Sequence, residues 1–255
     1  MTVPDTCLKN RLNNTDDRVA IHIVTIPSAV VTQAMAAAGA DGLIIDMEHG
    51  AVDHASAHAM IAATAGTRCA PIVRVPEIDA AVVKRVLDLG AEGICFPLVR
   101  TAEDARLAVS CMRYPPRGVR GFGAFIAQSR WQTDLPSFRD ATEDRLITVL
   151  LIETRDAVQN IDEICAVEGI DLLVVAMFDL STDLGHMGEF DHPVVRAAVG
   201  RIEAAANAAG LPLGGNALSR EMADGLFERG YRAIAGFDLL WLRAKTAEIK
   251  GWTET

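Results

Sequence analysis

Residues 42–97 read GLIIDMEHGAVDHASAHAMIAATAGTRCAPIVRVPEIDAAVVKRVLDLGAEGICFP. Three short apolar runs, Gly42–Asp46, Pro71–Val75 and Gly93–Pro97, alternate with two Ala-rich amphipathic stretches, Asp53–Ala65 and Asp79–Leu89. Each run is continuously apolar, not alternating, which is the pattern of parallel strands covered on both faces. Leu89-Gly90-Ala91 supplies a glycine just past the second helix, where the chain needs a left-handed residue to stop.

The same alternation extends in both directions. Further strands are predicted at Val19–Val24, Ile147–Ile152, Leu172–Val175, Leu213–Gly215 and Ala233–Gly236. Helices are predicted at Ser28–Ala38, Ala102–Arg113, Arg155–Ala166, Pro193–Ala209, Ser219–Arg229 and Leu239–Ile249. Eight strand–helix units in 255 residues predict an α/β fold, a (β/α)8 TIM barrel forming a single domain over residues 1–255. A doubly wound open sheet is the alternative, but its Gly-rich phosphate turn is missing after the first strand, where the chain reads Thr25-Ile26-Pro27-Ser28. Arg113–Asp144, rich in Pro, Gly and Arg, is the one long irregular stretch, and loops of that length in compact domains are usually functional.

Hydrophobic residues make up 50% and charged residues 23%, so a packed core is expected and disorder is excluded. A net charge of −10 with no basic stripe argues against nucleic acid and anionic lipid as partners. The polar stretch Met1–Asn14 does not read as a signal peptide, and no apolar run is long enough to cross a membrane. The five cysteines are widely spaced without a C-x-x-C pair, and three of them, Cys95 inside a predicted strand included, sit in apolar contexts as core thiols do, which suits a cytoplasmic protein.

In a parallel barrel, chemistry gathers where strands end. Four such ends carry polar groups: Asp46-Met47-Glu48-His49, Arg74, Glu153 and Asp179. Glu153 and Asp179 on adjacent strand ends suit a hard divalent cation, Mg2+ or Mn2+, with Co2+ also possible. Arg74 offers a fixed charge to an anionic substrate or a developing enolate. His49, with Asp46 three residues earlier to orient its ring, is the proton-transfer candidate. A strand-end carboxylate also serves as a helix N-cap, and a rim arginine as a structural clamp; the convergence of four such residues on one rim favours a site. His54 and His58, at i and i+4, read as a solvated helix face. His186 and His192 fall in the loop after the sixth strand, at the entrance.

These stretches resemble the HpcH/HpaI family of class II, metal-dependent pyruvate aldolases. The resemblance is carried by Asp46-Met47-Glu48-His49, Pro71-Ile72-Val73-Arg74, residues 84–91, Arg113-Tyr114-Pro115-Pro116-Arg117-Gly118-Val119-Arg120-Gly121, Glu153-Thr154-Arg155, residues 167–171 and Asp179-Leu180-Ser181. It implies that Glu153 and Asp179 ligate the metal, Arg74 contacts the keto-acid oxygen, and His49 with Asp46 transfers the proton. It further implies that Asp88 reaches that histidine from a neighbouring subunit, that the last helix is exchanged between protomers, and that the assembly is a homo-oligomer, commonly a hexamer.

Three departures bear on the substrate. Leu151 stands where the family usually has Gln, Ala176-Met177-Phe178 replaces a smaller Gly-Pro-Ala-like turn and puts Phe178 beside the bound acid, and the loop after Gly123 is about one residue short. The expected reaction is reversible aldol cleavage of a 4-hydroxy-2-keto acid to pyruvate, or a related 2-keto acid, and an aldehyde, through a metal-stabilised enolate. No predicted strand ends in Lys, and Lys84 lies in a helix, so a Schiff base is disfavoured. Two alternatives stand beside it: citrate-synthase-like condensation or decarboxylation of oxaloacetate on the same metal site, and a catalytically silent binding barrel.

Overall fold

The structure, a computed structural model, describes residues 7–253. The chain opens with α1 (Leu8–Asn13) and β1 (Val19–Val24), then α2 (Ala29–Ala37), β2 (Gly42–Asp46), α3 (His54–Ala63), β3 (Ala70–Arg74), α4 (Ala80–Asp88), β4 (Gly93–Phe96) and α5 (Ala102–Met112). Two short helices, α6 (Ala127–Trp131) and α7 (Phe138–Thr142), and a 3-10 turn lead to β5 (Ile147–Ile152). There follow α8 (Arg155–Gln159), α9 (Ile161–Cys165), β6 (Leu172–Val175), α10 (Met177–Asp183) and α11 (Pro193–Ala209). The last elements are β7 (Leu213–Asn216), α12 (Arg220–Glu228), β8 (Ala233–Ala235) and α13 (Asp238–Gly251). Each strand pairs in parallel with the next, and β8 returns to β1, with Val19 opposite Ala233, to close an eight-stranded barrel.

The continuous apolar strands have two buried faces. Leu43, Ile45, Val73, Ile94, Leu150, Ile152 and Leu173 point outward into the layer of helices. Ile21, Ile44, Ile72, Cys95, Val149, Leu151 and Val174 fill the interior. From below, α1 inserts Leu8 and Leu12 into that interior. Gly42 makes this possible: a Cβ there would stand 2.9 Å from Leu8 Cδ2.

The predicted strands are all present, and four of the eight, β1, β2, β5 and β6, have both boundaries as expected. The expected helix Arg155–Ala166 is instead α8 and α9, broken at Asn160, whose side chain donates to the Arg100 carbonyl at 2.9 Å. Arg113–Asp144 is not an active-site loop of this barrel mouth. It joins α5 to the start of β5, at the rim opposite the strand ends that carry the polar residues. There Arg120, 2% exposed, lies 4.6 Å over the Tyr114 ring and donates to Asp88 at 3.1 Å.

At the strand ends the first and last units are tied by one carboxylate. Asp238, buried at the start of α13, accepts the backbone N–H groups of Thr25 and Ile26 at 2.9 Å each and the Thr25 hydroxyl at 2.8 Å. Asp238→Ala is expected to lose about 3 kcal/mol or more in urea unfolding, because it strands two backbone donors. Asp238→Asn, which keeps one acceptor oxygen, is expected to lose less.

Candidate active site

Parallel register sets the centre of the site. Asp46 and Arg74 are paired positions at the ends of β2 and β3, so their side chains emerge side by side. Arg74 donates through Nε to Asp46 Oδ1 at 2.9 Å and through Nη2 to Oδ2 at 2.6 Å, a two-pronged bond. Asp46 Oδ1 also accepts the backbone N–H groups of Glu48 at 3.0 Å and His49 at 3.2 Å, which folds the chain tightly after β2. Burial of this fully enclosed carboxylate would raise its pKa, but the bonds from Arg74 and the two amides hold it below the ordinary range. Burial likewise opposes the Arg74 charge, and Asp46 overrides it.

The expected pairing of Asp46 with the His49 ring is therefore corrected. Asp46 shapes the His49 backbone and fixes Arg74, while the imidazole turns outward, 67% exposed, with Nε2 3.7 Å from Glu48 Oε2. The same Glu48 oxygen lies 3.3 Å from Arg74 Nε. Glu48 was overlooked as a participant, although it stands between two residues singled out in the sequence. Burial, with Asp46 and Asp179 nearby, pushes its carboxyl up against the pull of Arg74 and His49.

Glu153 follows β5 and is 5% exposed. Its Oε1 accepts the backbone N–H of Leu98 at 2.5 Å. Leu98 has φ +54°, a left-handed conformation that a leucine adopts only under constraint from its surroundings. Burial, then the charges of Asp179 and Glu48, push Glu153 up to about 7, against the Leu98 amide and Arg74. Asp179 is exposed in the first turn of α10, a helix that starts directly after β6 where only a turn was expected. Phe178 beside it is half exposed and meets Phe190 edge-to-face at 4.9 Å. Leu151 is buried among the interior residues two positions before Glu153, so the floor under Arg74 is apolar.

The structure thus brings together Asp46, Glu48, His49, Arg74, Glu153 and Asp179. It does not bring Asp88 to them within one chain, since α4 ends at the far rim. Cys95 is a core thiol, as expected. His58 is exposed and His54 half buried, and neither joins a cluster of metal-ligating side chains among the described residues. His186 and His192 stack on each other in the loop between α10 and α11.

The rim has an excess of negative charge. Three carboxylates, Glu48, Glu153 and Asp179, influence one another, and the buried cation among them is already engaged by Asp46. A carboxyl raised to about 7 is short of a positive partner. An all-oxygen donor set of this kind fits a hard divalent ion, so the residues present suit such a metal.

A family model described as HpcH/HpaI aldolase/citrate lyase matches residues 24–244. The chain belongs to this family. A 2-dehydro-3,6-dideoxy-6-sulfogluconate aldolase of Pseudomonas putida is 36% identical over 223 residues, 87% of each chain. A hydroxypyruvate/pyruvate aldolase of Agrobacterium fabrum is 34% identical over 260 aligned residues, covering 98% of this chain and 96% of its own. The crystal structure of an HpcH/HpaI aldolase/citrate lyase family protein from Burkholderia cenocepacia superposes with a TM-score of 0.90 at 32% identity, over 97% of this chain and 99% of that one. This HpcH/HpaI protein is accordingly an enzyme, a carbon–carbon lyase of the aldolase kind, from a family that generally depends on a divalent cation. None of its described helices is long and apolar enough to cross a membrane.

Proposed function

We propose that the chain cleaves a 4-hydroxy-2-keto acid reversibly into pyruvate, or a related 2-keto acid, and an aldehyde. The observation that carries this reading is the Arg74 guanidinium, fixed in place by Asp46 and aimed at a rim that also holds Glu153 and Asp179. Glu153 and Asp179 would hold Mg2+, Mn2+ or Co2+, which supplies polarisation of the 2-keto group when bound. His49 reaches the open mouth and takes the proton of the substrate's 4-hydroxyl. The C3–C4 bond then breaks, its electron pair moves toward the keto oxygen, and the aldehyde leaves. Arg74 shares the negative charge that grows on that oxygen. Glu48 Oε2 lies 3.7 Å from Nε2 of that imidazole, at the same side of the mouth. Phe178 and Leu151 give the acid pocket one aromatic wall and an apolar floor.

Exchange of pyruvate methyl protons in deuterated water tests this half of the reaction. It is expected to need a divalent cation, to stop with chelator, and to be lost in Glu153→Gln. Exchange indifferent to chelator overturns the proposal, as does turnover of oxaloacetate with acetyl-CoA in place of pyruvate with aldehydes.

We further propose a homo-oligomer, a hexamer, in which α13 is exchanged between copies and Asp88 approaches the neighbour's His49. Beyond its first residue α13 has no buried side chain, and it exposes Leu239, Leu240, Trp241, Leu242 and Ile249. A cavity of about 780 Å³ beside α11 and α12, lined by Phe178, Phe190, Val199, Leu218 and Met222, offers a surface of matching character. Leu242→Glu, which leaves the Asp238 anchor intact, is expected to shift sedimentation from oligomer to monomer. Five free cysteines, four of them buried, support a reducing, cytoplasmic setting.

A further inference from the structure

A second group of ligand-type side chains stands in the loop between α10 and α11, and the reaction proposed above does not use it. His186, Glu189 and His192 are spaced three apart. The Glu189 N–H donates to the His186 carbonyl at 2.9 Å, and the His192 N–H to the Glu189 carbonyl at 3.0 Å. Gly188, at φ +77°, lets the loop fold back between these turns, and the three side chains meet. The imidazoles stack with centroids 3.4 Å apart and planes 18° apart, and His186 Nδ1 is 3.6 Å from Glu189 Oε2. One ligand atom from each side chain lies within 4.8 Å of the other two. The loop is pinned from behind, because Ser181 accepts the His186 N–H through its carbonyl at 2.7 Å and the Gly188 N–H through its hydroxyl at 3.1 Å.

We propose that His186, Glu189 and His192 form a second cation site, selective for a borderline ion such as Zn2+. Two imidazoles and one carboxylate suit Zn2+ or Co2+, whereas the rim of the barrel offers oxygens alone. Bonds of about 2.0–2.2 Å set tetrahedral ligands roughly 3.4 Å apart, so atoms already within 4.8 Å of one another have at most about 1.4 Å to close. Stacked rings direct their lone pairs in parallel, and binding must splay them. His192 Nδ1 also accepts the Val194 N–H at 3.3 Å, at the start of α11. That bond places the proton of the neutral ring on Nε2, so coordination through Nδ1, or through Nε2 after the proton moves to Nδ1, breaks the bond to Val194. Glu189 is exposed, which leaves the fourth position to water. Such an ion clips the loop against α10, the helix that carries Asp179.

The test uses the full chain, first saturated with Mg2+ and then titrated with Zn2+ in a calorimeter, with Co2+ absorption as a parallel readout. One further equivalent of Zn2+ per chain is expected. Glu153→Gln/Asp179→Asn should retain it. His186→Gln and His192→Asn should weaken it by more than about tenfold, the loss that even an indirect ligand partner causes. Asn at 192 still caps a helix, so circular dichroism should show α11 intact in that variant. The proposal is overturned if no further equivalent binds, if it survives both histidine substitutions, or if it disappears in the Glu153/Asp179 variant.

Discussion

Arg74→Ala is expected to slow pyruvate proton exchange by about 10²–10³-fold, the usual cost of removing one donor to a developing oxyanion. It should also destabilise the fold by roughly 3–5 kcal/mol, because Asp46 is 0% exposed and would lose the side-chain cation that pairs with it. The two losses have different origins and can be separated. In Asp46→Asn/Arg74→Ala the stranded charge is gone, leaving a neutral side chain that still accepts from the Glu48 and His49 amides. Urea unfolding should show much of the stability restored, while exchange stays as slow as in the single variant. If the double variant regains exchange, Arg74 acts only as a clamp for Asp46, and its assignment to the keto oxygen fails.

The second large effect concerns pH and metal. The Glu153 carboxyl stands at about 7 in the folded chain, against 4.5 for an ordinary glutamate. Between those values the folded chain holds a proton that the unfolded chain has released, so stability falls as pH rises, by about 1.4 kcal/mol per pH unit. Metal-free protein should therefore lose roughly 3 kcal/mol between pH 4.5 and 7 through this group alone. Glu153→Gln should remove that slope, and the difference between the two unfolding profiles isolates it from groups such as Asp46 that titrate in the opposite sense. Above pH 7, Mg2+ at a hundred times its dissociation constant should add about 2.7 kcal/mol to the wild type and little to the variant. A wild-type profile parallel to that of Glu153→Gln, with no response to Mg2+, would remove Glu153 from the proposed metal site.

The strands were legible because burial on both faces writes them as unbroken apolar runs; β1, β2, β5 and β6 could be delimited to the residue. The helix α10 was not legible, since it begins directly after β6 with Ala176 and no side-chain cap to mark it. Asp46 shows a different limit. Its spacing from His49 looked like a local pair, but parallel register places it beside Arg74, 28 residues away, and register cannot be read from one strand alone. Glu48 escaped notice for a related reason: a strand-end turn brings its side chain to both Arg74 and His49, and nothing in the tripeptide itself says so. The position of Asp88 followed from topology once the helices were placed, because a helix in this fold returns the chain to the opposite rim.

The Asp238 anchor and the β8–β1 pairing join residues more than two hundred positions apart. On the ribosome, β1 emerges early and keeps a bare edge until the C-terminal segment arrives, some ten to forty seconds later at about 5–20 residues per second. A nascent open sheet of this kind invites edge-to-edge association between neighbouring polysomes. Slowing translation between β1 and β8 should therefore lower the yield of folded enzyme, and chaperone capture of the growing chain should restore it.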